Sequence, residues 1–159
     1  ERAWAFAHHQ RRLPGRPDAR GGPASFWIAP AARIGTAWQS ALMMRECPRT
    51  LAVGCETGDW SHVDVYLTKT LDYRAIVFTG SRWDAQAAEW MTQRGSTVVS
   101  VGAGSNGAMP LGVPGERHLD LGIDGADPLA AVLTEPLVAE LLAQRWWAAG
   151  TPEPAGSHP

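Results

Sequence analysis

Five short strand-like runs, the first four mainly apolar, constrain this chain more than any other feature. They are residues 24–28 (ASFWI), 50–54 (TLAVG), 74–79 (RAIVFT), 97–101 (TVVSV) and 117–121 (RHLDL). Each is bounded by turn-forming residues, and the third is apolar, β-branched and aromatic, as a buried strand requires. Helix-forming patterns separate most of them. In 33–46, Ile34, Ala37, Ala41 and Met44 make one apolar stripe, and Pro48 stops the helix. In 82–93 the stripe is Trp83, Ala87, Trp90 and Met91, and Gly95 ends it. Residues 59–67 read as a short helix with Asp59 as its cap. After 124–128 a long helix opens with Asp127 as cap and Pro128 in its first position. Leu129, Val132, Leu133, Leu137, Leu141 and Leu142 give it a 3.6-residue period, with a kink or restart at Pro136.

Strands alternating with helices, most of the strands too apolar to have a wet face, call for a parallel sheet covered on both sides. The expected architecture is a three-layer α/β/α sandwich with about five parallel strands in a flavodoxin-like order. It occupies residues 24–150. Ahead of it, 1–13 reads as a helix with Trp4, Ala7, His8 and Arg11 on one face, joined by a Gly/Pro/Arg-rich loop to residue 23. Residues 151–159 form a proline-rich tail. The chain begins at Glu1 inside a helical pattern and reads as an excised domain or processed piece.

The net charge of −2 and scattered arginines give no basic face for nucleic acid. No apolar run approaches the roughly 18–20 residues of a membrane helix, and no signal peptide is visible. Cys47 and Cys55 are too few for a disulfide scaffold and lack metal-ligand spacing, so reduced thiols in a cytoplasmic protein without metal or cofactor are expected. Lys69 is the sole lysine, so Schiff-base chemistry within the chain would require it.

Glu46 ends the helix 33–46, and His62 follows the next strand. A carboxylate and an imidazole sixteen residues apart, on either side of one strand, pair a general base with an acid or proton shuttle. The plain alternatives are an exposed last-turn carboxylate, whose sign opposes the helix dipole, and an exposed histidine near Trp60. Glu56 is a second carboxylate in the same loop and otherwise a solvated one. Thr79-Gly80-Ser81, running from a strand into a helix N-terminus, could hold an anion through its amides and hydroxyls, or Ser81 could simply cap the helix. Residues 102–107 spell GxGxxG after a strand. The prolines and glycines of 108–115 prevent the helix that a dinucleotide site needs, which excludes that reading.

The run Ala37-Trp38-Gln39-Ser40-Ala41-Leu42-Met43-Met44-Arg45-Glu46, continuing without a gap to Ser61-His62-Val63-Asp64, resembles the second half of the sugar isomerase (SIS) region of glucosamine-6-phosphate synthases. Thr134-Glu135-Pro136-Leu137 matches a threonine-x-proline-leucine element of that family's closing helix. The resemblance spans about 26–150. It implies that Glu46 moves a proton between carbon atoms in an aldose–ketose isomerisation and that His62 assists ring opening. Arg45, Thr79 and Ser81 are carried as ligand-binding candidates. Met43 replaces a family lysine, Val63-Asp64 replace a glycine-proline, Ala29-Pro30-Ala31-Ala32 replace a glycine-rich turn, and no lysine follows the last helix. In the family the sugar phosphate is held mainly by a first SIS domain, and the histidine comes from a neighbouring subunit. The expected partners are therefore a sugar phosphate and either that first domain or a second copy in a homodimer. The alternatives are a non-catalytic phosphosugar-binding or dimerisation module and, by fold analogy alone, a flavin or nucleotide domain.

Overall fold

A computed structural model of the chain describes residues 24–102, 110–123 and 127–149. The helix and loop expected before residue 24, most of the GxGxxG stretch and the tail lie outside them. Five strands form one sheet: β1 (Ser25–Ala29), β2 (Ala52–Glu56), β3 (Arg74–Phe78), β4 (Thr97–Gly102) and β5 (Arg117–Asp120). Their order is β2-β1-β3-β4-β5 and every pairing is parallel. The expected five-stranded, flavodoxin-like α/β arrangement is therefore the one observed. The helices are α1 (Ile34–Glu46), α2 (Thr57–His62), α3 (Asp84–Gln93), α4 (Pro128–Thr134) and α5 (Pro136–Ala148), with 3-10 turns at Ala31–Arg33 and Asp64–Lys69.

Alternate residues of the central strands serve two cores. Trp27, Ala29, Ile76, Phe78, Val99 and Val101 pack against α1 and α5. Phe26, Ile28, Ala75, Val77 and Val98 pack against Trp60 of α2, Val65, and Ala87 and Met91 of α3. Both faces of β1 and β3 are dry, which explains their unbroken apolar sequence. In the second core Tyr73 stacks on Phe26 with ring centroids 4.0 Å apart, and its hydroxyl accepts a 2.7 Å bond from Trp60 Nε1. Burial pushes the Tyr73 phenol well above its usual range, against the Trp60 bond, which lowers it.

Several boundaries depart from expectation for local reasons. The second strand starts at Ala52, not residue 50, because the Thr50 amide is still held by the Met44 carbonyl of the helix end. Helix α2 begins at Thr57, capped by Glu56, whose carboxylate accepts the Asp59 amide at 2.9 Å; Asp59 is not its cap. It ends at His62, and a 3-10 turn follows. Asp127 does cap α4, taking the Leu129 and Ala130 amides. At Pro136 the helix restarts: Glu135 keeps helical dihedrals and donates its amide to Ala131, so α4 and α5 are separate helices in near-continuous phase.

The apolar period of this last segment also resolves differently. Ala131, Ala139, Leu142, Ala143 and Trp146 face the sheet. Leu129, Leu133, Leu137 and Leu141 lie on the solvent side, because the small residues let α5 sit close against α1 and the sheet. Close approach recurs under α1. A Cβ on Gly54 would stand 2.6 Å from the Ala37 carbonyl oxygen, so glycine is what lets the helix rest on β2.

Candidate functional site

In a doubly wound sheet, ligands bind outside the carboxyl ends of the strands, where the winding direction reverses. Here the reversal lies between β1 and β3. The loops there carry Arg33, at the start of α1, and Thr79-Gly80-Ser81, after β3. Arg33 donates from Nε to Glu135 Oε2 at 3.1 Å and from Nη2 to the Thr79 carbonyl at 2.5 Å. Glu135 is 2% exposed and Arg33 17%, so this ion pair is largely shielded from water. Burial raises the Glu135 carboxyl above its ordinary value, and Arg33 opposes the rise. Gly80 takes a φ of +115°, and its flat profile lets the Arg33 guanidinium pass: a Cβ there would lie 3.3 Å from Nη2.

The amides of the 79–81 turn are occupied from within the chain. Asp84 Oδ2 accepts the Gly80 amide at 2.6 Å and the Ser81 amide at 3.1 Å. Ser81 Oγ accepts the Trp83 amide at 3.2 Å, and Thr79 Oγ1 donates to the Val101 carbonyl at 3.3 Å. Asp84, the first residue of α3, thus reaches back to the two amides of the turn ahead of the helix. Burial raises the Asp84 carboxyl, while the two amides and Arg33 hold it down. A carboxylate of the chain thus sits where an external phosphate would take the Gly80 and Ser81 amides.

Of the residues singled out by sequence, Glu56 and His62 share the carboxyl edge. His62 is exposed and meets the Trp83 ring edge-on, with centroids 6.2 Å apart. Glu56 is half-buried, and its Oε2 and Trp83 Nε1 crowd Gly58, at 2.7 and 2.9 Å from where a Cβ would be. Glu46 lies elsewhere. Helix α1 runs about 20 Å back from the carboxyl edge, and the neighbouring Arg45 donates to the carbonyl of Ala52, the first residue of β2, at 2.8 Å. Glu46 is therefore exposed at the amino edge and on the opposite face of the sheet from α2. A strand of about 13 Å and the thickness of the sheet separate it from His62 within one chain. Arg45 reaches the backbone of β2.

Sequence reasoning missed Arg33, Asp84 and Glu135. Ser81-Arg82-Trp83-Asp84 carries the Ser-x-x-Asp spacing of a capping box, a legible signal. Arg33 and Glu135 are 102 residues apart, and only the fold joins them. A further polar knot lies under β5. Glu116 accepts the amides of Leu111, Gly112 and Val113 at 2.9, 2.7 and 3.0 Å, and also the Ser100 hydroxyl. His118 Nδ1 lies 2.8 Å from the same hydroxyl. The carboxylate engages the serine and not the imidazole, and Ser100 is fully buried, so the knot fastens the 110–116 loop and has no nucleophile to offer.

Among the described residues no group of three or more His, Cys, Asp or Glu could hold a metal ion. Cys47 and Cys55 are free, and burial beside Asp64 pushes the Cys55 thiol far above the range in which it would react. No described helix is long and apolar enough to cross a membrane. No protein-family model matches the chain, and no curated protein matches it.

Proposed function

We propose that the chain is a phosphosugar-binding domain of the SIS kind, part of a sugar-phosphate aldose–ketose isomerase or aminotransferase whose site is completed by a second domain or subunit. One observation carries this reading: Glu46 and His62 stand at opposite edges and on opposite faces of one sheet. A base and a ring-opening imidazole so placed can reach one sugar only if they come from different copies or domains. The occupied amides at Gly80 and Ser81 agree with a phosphate held mainly by the partner domain. In the assembled protein Glu46, exposed at a helix end, moves the proton between adjacent carbons, and His62 beside Trp83 assists opening of the ring.

The test is Glu46→Gln in the intact assembly. Isomerisation is lost while sugar-phosphate affinity stays near that of the wild type; undiminished turnover would remove Glu46 from the mechanism and the reading with it.

A second reading, a binding or pairing module without catalysis, is favoured by the surroundings of the candidates. Met43 of α1, where the resemblance has a lysine, is packed against the core, and Val63, after His62, is 66% exposed with no polar role. A stable assembly that binds sugar phosphate but shows no turnover selects this reading.

A further inference from the structure

The outer side of α4 and α5 carries leucine at every fourth position. Leu129, Leu133, Leu137 and Leu141 are 64%, 64%, 47% and 65% exposed, and Val132 beside them is 42% exposed. The row is continuous because Glu135 keeps helical dihedrals across the junction, so the two helices present one i, i+4 ridge. Polar residues occupy this position on an ordinary surface helix. Here the side facing the sheet is built from Ala131, Ala139, Leu142, Ala143 and Trp146, so the leucines are surplus to the core.

We infer that this ridge is the surface through which two copies of the chain pair. The area favours a protein-sized occupant. At these exposures the five side chains present on the order of 500 Å² of apolar surface, toward the top of the range of about 300–600 Å² for the largest patch on a monomer. A stable interface needs about 800 Å² per partner, with an apolar centre and a polar rim. The ridge supplies the centre; Glu140, Gln144 and Arg145, all exposed, supply the rim. A second copy fits for two reasons. Ridges of i, i+4 spacing pack into the grooves beside an identical ridge, the commonest helix–helix geometry, and a two-fold axis through the row makes the patch self-complementary. The rim also carries one acidic and one basic residue, and the whole chain has a net charge of only −2, so like-charge repulsion between copies is small.

This inference goes beyond the proposed function: α5 packs beside α1 on the Glu46 face and His62 lies across the sheet, so pairing through the ridge does not by itself bring Glu46 of one copy to His62 of the other. It is tested on the full 159-residue chain by light scattering and sedimentation across a concentration series. The wild type sediments as a dimer. Leu137→Glu and Leu141→Glu each weaken the dimer by roughly tenfold or more, as loss of a central anchor does, with unchanged far-ultraviolet circular dichroism. Leu51→Glu, at an exposed leucine just ahead of β2, leaves it intact. Mixing Leu137→Glu with Leu137→Lys restores a mixed dimer, which a variant that merely misfolds cannot do. A monomeric wild type, or a dimer dissolved by Leu51→Glu and not by the ridge variants, overturns the inference. Sugar-phosphate binding is measured in parallel. A ridge dimer that binds no sugar phosphate leaves the surface standing and removes the functional reading.

Discussion

Arg33→Met removes one half of the ion pair that closes the β1/β3 reversal point. Glu135, 2% exposed, keeps its charge and loses its guanidinium partner. Stripping a partner from a buried pair costs about 3–5 kcal/mol. Because Arg33 keeps some contact with water, the lower end applies, about 3 kcal/mol at neutral pH. In a chain of this size that is a drop of about 6–12 °C in Tm. Burial already raises the folded-state carboxyl of Glu135 above its ordinary 4.5, and Arg33 is the cause that lowers it. Without Arg33 the folded value climbs further. As pH falls from neutral through that raised value toward 4.5, the native state binds the proton before the unfolded state does. The variant therefore recovers stability, and its deficit against wild type narrows. Arg33→Met/Glu135→Leu, which removes both charges, should return to within about 1 kcal/mol of wild type. Urea unfolding of these three proteins and of Glu135→Leu, followed by circular dichroism at pH 7 and pH 5, gives the coupling energy. A single-variant cost below about 1 kcal/mol, or additive costs in the double variant, would refute the reasoning.

Gly54→Ala drives a methyl group to 2.6 Å from the Ala37 carbonyl, with backbone on both sides. It should cost at least about 1–3 kcal/mol in urea unfolding. Asp84→Ala frees the Gly80 and Ser81 amides; the variant loses about 1–3 kcal/mol as these bonds to a charged acceptor go, and inorganic phosphate then raises its Tm more than that of wild type. Glu116→Ala removes the acceptor of three loop amides and the Ser100 hydroxyl. Limited proteolysis should then cut within 110–116 while the strands retain slow hydrogen exchange.

Much of the architecture was legible because strands buried on both faces must be apolar throughout. The runs at Phe26–Ile28 and Ala75–Phe78 announce themselves for that reason. The last helices were legible in period but not in direction. A leucine period marks one face without saying which, and the alanines at 131, 139 and 143 took the sheet side because the helix had to sit close. Edge features read poorly too. Glu56 caps α2 in place of Asp59 because the carboxylate three residues before an amide reaches it, and both residues are acidic. The candidate site was legible only in pieces. Glu46 and His62 are close in sequence, yet one strand and the sheet's thickness part them, since α1 covers one face of the sheet and α2 the other. The Arg33–Glu135 pair left no local trace, because only the sheet order brings β1 and the last helices together.

The central claim is that a sugar phosphate is handled by Glu46 of one unit and His62 of another, and not by the 79–81 turn. It is tested most directly by following backbone amide resonances while a hexose or hexosamine phosphate is titrated into the intact assembly. The account predicts saturable shifts at residue 46 and across 56–62, with Gly80 and Ser81 unmoved because Asp84 holds their amides. Shifts confined to Gly80 and Ser81, or none at any described residue, would contradict it.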